Sequence, residues 1–158
     1  MWALLLELLY IPLCFAQQSA DTYPNPRTNG FLACGMRSRS YVCDSEKQLG
    51  EQERYRLNND LLQLARRTSH STGDFCAKKG ADATLVITKQ GSQQLAEKLN
   101  TLWDVDGQCL KAVVFVLSTN DHRLYYAGEA HAGISFFFNL LYTKNTKTTY
   151  TNSKSIPL

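Results

Sequence analysis

The sequence predicts an α/β layered sandwich around a small mixed sheet, and three observations carry that prediction. Apolar runs with β-forming residues occur at Ser40–Cys43, Ala83–Thr88, Ala112–Leu117 and Leu124–Tyr126. Between the first three lie two segments with leucines at helical spacing, Leu49–Arg67 and Gln93–Leu102. The last two runs are split by the short polar turn Ser118–Arg123, which marks a hairpin. The order β-α-β-α-β-β follows, and alternation of strand and helix places helices against a largely parallel sheet.

Each element has its own warrant. Ser40–Cys43 is a short first strand ending at Asp44. In Leu49–Arg67 the residues Leu57, Leu61 and Leu64 form an apolar stripe that Leu62 and Ala65 widen. Ser45 followed by Gln48 resembles a capping box at its start. Thr68–Gly80 reads as a polar loop containing Cys76. Ala83–Thr88 is β-branched and bounded by Gly80 and Gly91. The second helix carries Leu95, Leu99 and Leu102, and an aspartate-bearing loop, Trp103–Gly107, connects it to the third strand.

Outside this region the chain reads differently. Met1–Ala16 is apolar and ends in the small-residue site Cys14-Phe15-Ala16, the layout of a secretory signal peptide. It is too short to span a bilayer, which takes roughly 20 apolar residues. Residues 17–30 read as a flexible leader rich in Gln, Ser, Asn and Pro, and residues 31–135 as the folded domain. Residues 136–158 comprise an apolar patch, Phe136–Tyr142, and a disordered Thr/Lys/Asn-rich tail. No segment of the chain reads as a transmembrane helix.

Removal of the leader peptide takes Cys14 with it and leaves Cys34, Cys43, Cys76 and Cys109. An even number in a secretory context predicts two disulfides, with three pairings that spacing does not choose between. Zinc is disfavoured, because no two of these cysteines form a C-x-x-C pair. The net charge is +3, with several of the lysines in the tail, and no basic stripe interleaved with aromatics suits a nucleic-acid partner.

The acids that could carry chemistry are Asp44, Asp104, Asp106 and Asp121. Hard oxygen ligands suit calcium, provided several converge on one point. Asp104-Val105-Asp106-Gly107 echoes the start of a calcium loop, but the strand that follows leaves no room for the remaining ligands. These acids are therefore candidate contributors to a composite metal site, or else caps and turn formers. No catalytic residues stand out. The loop of a cysteine phosphatase needs Arg six residues after its thiol, and Ser40 and Asp82 occupy those positions. His70, His122 and His131 sit in polar surroundings that suit solvated side chains. Trp103 is expected to pack the second helix onto the sheet, with one of Tyr125 and Tyr126 facing the core by strand alternation.

Taken together, Tyr41-Val42-Cys43-Asp44, the Leu-rich helix, Leu85-Val86-Ile87, Leu102-Trp103-Asp104, Val113–Leu117 and Leu124–Gly128 resemble a TPM domain. With the signal peptide and the extra cysteines, the chain is similar over Cys34–Ser135 to the nematode modulators of levamisole receptors. That resemblance implies a TPM-like fold in an extracellular auxiliary module, secreted or at the outer face of the plasma membrane. It implies acetylcholine-gated channel subunits as partners and positive allosteric action on gating, and the lack of catalytic motifs makes a non-enzymatic module with no cofactor, calcium excepted, the expectation. It also implies a C-terminal part of the domain and a membrane helix, neither of which is seen in this chain. The alternative, drawn from other TPM domains, is calcium binding or weak phosphatase activity at the acidic loops.

Overall fold

Asp82–Thr88 (β2) runs through the heart of the sheet, and six of its seven residues are buried. Such a strand must be covered on both faces, which is why it reads as a continuous rather than alternating apolar run. It pairs in parallel with Val42–Cys43 (β1) on one side and with Ala112–Ser118 (β3) on the other. Arg123–Gly128 (β4) returns antiparallel beside β3, with Ser118 opposite Arg123 and Val113 opposite Gly128. The structure, a computed structural model, describes residues 19–133 and the backbone of Ser155–Pro157 (β5), which pairs antiparallel with Arg123–Tyr125. The sheet order is thus β1-β2-β3-β4-β5, and its content is the predicted mixed α/β one.

Helices cover the two faces. Glu51–Arg67 (α1) links β1 to the short helix Phe75–Lys78 (α2), and Gln93–Trp103 (α3) links β2 to β3. On the α3 face Val86, Val114 and Val116 pack with Ala96 and Leu99, and Trp103 and Tyr125 close the margin. On the other face Ala83 and Val113 meet Leu61 and Leu64 of α1, together with Phe115. Leu99 has no exposed surface, so its truncation to Ala would cost about 2–5 kcal/mol from lost transfer energy and the cavity left behind. The α3 helix begins at Ser92, whose hydroxyl accepts from the Leu95 N–H at 3.1 Å.

The four cysteines form two bonds, Cys34–Cys43 and Cys76–Cys109. The first closes a loop onto β1. The second ties α2 to the loop entering β3, with a Cα–Cα distance of 5.3 Å.

Several expectations are corrected. Residues 19–30 are not a loose leader; they pack on the body. Ala20 and Tyr23 are buried in the α3-side core, and the Tyr23 ring lies 6.5 Å from that of Trp103. Arg27 clamps Asp82 through two hydrogen bonds, at 2.6 and 3.2 Å, and stacks over Tyr41 at 3.9 Å. A polar average over the segment hides these three anchors. The first strand is only Val42–Cys43; the N–H groups of Ser40 and Tyr41 go to the Pro26 carbonyl and the Asn58 side chain, while the Tyr41 carbonyl accepts from the Leu85 N–H of β2 at 2.8 Å. The helix start lies further along than Ser45 and Gln48, and only the Glu53 half of a capping box is present there, since glycine has no side chain to return it. Gly50 is the N-cap, and its N–H donates to the Glu53 carboxylate at 2.7 Å. Finally, the loop around Cys76 contains α2, which starts where Asp74 accepts from the Ala77 N–H at 2.7 Å. The signal peptide, the apolar patch and the polar tail lie outside the described residues, except for the backbone of β5.

Candidate functional site

Because β1, β2 and β3 are parallel, their carboxyl ends share one edge of the sheet, and ligands gather at such an edge in α/β folds. Asp44 follows β1 there, and Asp121 lies in the β3–β4 turn at the same edge. Asp104 and Asp106 precede β3 and therefore belong to the opposite edge. At about 3.3 Å per residue, a seven-residue strand separates the two edges by roughly 20 Å. Calcium ligands must all lie within about 2.6 Å of the ion. The four acids are not brought to one point.

Each acid instead serves its own neighbourhood. Asp44 is fully buried. Its carboxylate accepts from the N–H groups of Gln48 at 2.8 Å and Leu49 at 2.9 Å, and pairs with Arg54 at 3.2 Å. Arg54 also donates to the Leu49 carbonyl, so the ion pair pins the start of α1 to the end of β1. Asp106 accepts from Lys79 at 2.6 Å and from the N–H groups of Cys109 and Lys111 at 3.3 and 3.0 Å. Burial pushes the Asp106 carboxyl up, but the Lys79 and backbone donors outweigh it and hold the group below its ordinary 3.8. Asp104 closes α3 in the left-handed conformation at φ 37°, and its carboxylate folds over Gly107. Asp121 accepts from the Tyr125 hydroxyl at 2.9 Å, and its carboxyl is lowered chiefly by a hydrogen bond from Ser118.

Among the described residues, no group of three or more His, Cys, Asp and Glu side chains is placed to hold a metal ion. The donor set does not fit calcium, since the buried carboxylates are already saturated by N–H donors and cations. The three histidines are exposed. Cys34, Cys43, Cys76 and Cys109 are bonded and cannot act as nucleophiles.

Sequence reasoning missed a connected ionic network at the amino-terminal edge. Arg27 pairs with Asp82, and Lys79 with both Asp82 and Asp106. This network joins the N-terminal segment, β2 and the loop before β3. Only the pattern of charges flanking the strands could have signalled it. The tyrosine pair divides between faces. Tyr125 packs on the α3 side, whereas Tyr126 lies opposite Phe115 with ring centroids 6.4 Å apart on the α1 side. Trp103 contributes to the α3-side core, as its position at the helix end suggests.

The described residues therefore form a disulfide-braced α/β domain in which Asp44 and Asp106 are engaged by backbone N–H groups and cations of the fold. Among the described residues no helix is long and apolar enough to cross a membrane. No curated protein and no solved structure matches the chain. Residues 18–122 match the family described as modulator of levamisole receptor-1. That span opens with the segment that packs through Tyr23 and Arg27, and it takes in every described helix and β1 to β3. With about two-thirds of its length matched, the chain belongs to the modulator of levamisole receptor-1 family.

Proposed function

We propose that this protein is an extracellular auxiliary module of acetylcholine-gated channels of the levamisole-sensitive kind, and that it raises their gating allosterically. The observation that carries the reading is the family match over residues 18–122. Two disulfides in a domain of this size support an oxidising compartment, and the apolar Met1–Ala16 segment supports export. The mechanism is one of differential affinity. A module that binds the open-competent channel better than the resting one by about 1 kcal/mol shifts the opening equilibrium about fivefold. Such a module needs a rigid surface rather than a reactive group, and a disulfide-braced sheet supplies one.

The test is co-expression of this chain with levamisole-receptor subunits and measurement of the acetylcholine concentration–response curve. The expected result is a curve shifted to lower acetylcholine, or larger currents at fixed agonist. A curve identical with and without the protein, when the protein is detected at the cell surface or in the medium, overturns the proposal.

A further inference from the structure

The large apolar side chains most open to water include Phe75, 64% exposed, and Leu110, 40% exposed. They flank the two ends of one disulfide, since Phe75 precedes Cys76 and Leu110 follows Cys109. Leu110 also has a φ of 54°, a left-handed conformation that a leucine rarely adopts. Three contacts hold it there. The Asp106 carboxylate takes the N–H groups on either side of it, from Cys109 and Lys111. The Leu110 carbonyl accepts from the His131 N–H at 2.9 Å, and the disulfide fixes the preceding residue. A glycine or asparagine would occupy this turn without strain, and neither would leave an apolar side chain in water. Strain maintained to display a hydrophobe points to a binding role.

The end of α1 reaches the same edge. The Ala81 N–H donates to the Thr68 hydroxyl at 2.7 Å, and the His70 N–H to the Ala77 carbonyl at 3.2 Å. Arg66 and Arg67 close α1, and Lys78 closes α2; all three are exposed and have no ion pair among the described residues. Asp74, the exposed acid next to Phe75 in the chain, is spent on its own helix start. Two rigid apolar anchors amid unpaired cations have the composition of a protein contact centre, where aromatic and arginine side chains dominate the energy. A lipid surface fits less well. Anionic lipid, which would reward the cations, faces the cytoplasm rather than the outside.

We propose that this edge is the docking face of the module, and that it takes an apolar pocket rimmed by carboxylates on the extracellular part of the channel. This inference rests on the receptor-modulating reading above. The test is recovery of levamisole-receptor subunits with the tagged full chain after co-expression and mild detergent extraction. The variants are Phe75→Ser with Leu110→Asn, and separately Arg66→Glu with Arg67→Glu and Lys78→Glu. Asparagine tolerates the left-handed turn, so the first variant should melt within about 3 °C of the parent. Each variant should recover at least about tenfold less receptor. If the first variant fails to fold, the charge-reversal variant, confined to exposed side chains, carries the test. Folded variants that recover as much receptor as the parent overturn the docking face alone. A parent that recovers no receptor overturns the modulator reading and this inference with it. Loss of binding to vesicles of phosphatidylcholine and phosphatidylserine in equal parts, with receptor recovery unchanged, overturns it in favour of a lipid surface.

Discussion

Asp44→Ala tests whether the acid at the end of β1 is structural or a metal ligand. The carboxylate is completely buried, and its partner Arg54 has a side chain only 11% exposed, so solvent screens the pair little. Removing one partner of such a pair leaves an uncompensated buried cation and costs about 3–5 kcal/mol. The Gln48 and Leu49 N–H groups lose their acceptor at the same time. For an ordered domain of this size the expected fall in melting temperature is roughly 12–20 °C. The assay is thermal unfolding followed by circular dichroism, with excess calcium and with chelator. The loss should be the same in both. Arg54→Met added to Asp44→Ala should recover part of it, because the orphaned charge is gone, giving a coupling energy of more than about 1 kcal/mol. A fall below about 4 °C would refute the reasoning from burial. A deficit seen only with calcium present would refute the assignment of Asp44 to the fold.

Further expectations concern other parts of the molecule. The lowered Asp106 carboxyl stabilises the fold above its unfolded value of 3.8, and that contribution is lost as pH falls through the folded value. Melting temperatures taken between neutral pH and pH 2 should therefore fall less steeply for Asp106→Asn than for the parent. Tyr23 behaves in the opposite sense. Burial, the largest cause, pushes its hydroxyl up to about 12, so its contribution is intact below 10.0 and lost as pH rises towards the folded value; Tyr23→Phe should flatten the alkaline limb of the same curve. In the loop-entropy account, opening Cys76–Cys109, separated by 33 residues, should cost about 3.7 kcal/mol. Opening Cys34–Cys43, separated by 9, should cost about 2.6, and denaturant titration of the paired Cys→Ala variants orders them. Gly80→Ala would drive its Cβ into the Ala65 carbonyl, so it should lower the melting temperature by more than about 10 °C.

What could be read from the chain was whatever repeats with a period. Leu61 and Leu64 do face the sheet, and the apolar strand Ala83–Thr88 is found with one residue added at its start. The hairpin was legible because its turn is polar and short. Structure fixed by single side chains was not legible. Tyr23 and Arg27 anchor a segment whose average composition is that of a linker, and Asp74 starts a helix too short to show a stripe. The start of α1 was misplaced because Ser45 has the right chemistry for a cap, yet its hydroxyl donates to the Tyr23 hydroxyl oxygen instead. The acids illustrate the same limit. Four aspartates near strand ends suggest a site, but which edge each occupies depends on strand direction, and their partners come from distant residues such as Lys79.

The two disulfides each close within their own half of the chain, one ahead of α1 and one after it. Among the described residues no covalent bridge spans the exposed stretch Ser69–Asp74 between them. A single protease cut there would leave two internally cross-linked pieces gripping each other through non-covalent contacts alone, among them the β1–β2 ladder, the α1 packing, the Tyr23 side chain in the α3-side core and the Arg27–Asp82 clamp. Those pieces would migrate together under native conditions and separate in detergent without any reductant. The domain is thus built as two stapled halves with a non-covalent seam, and the strength of the whole is set along that seam.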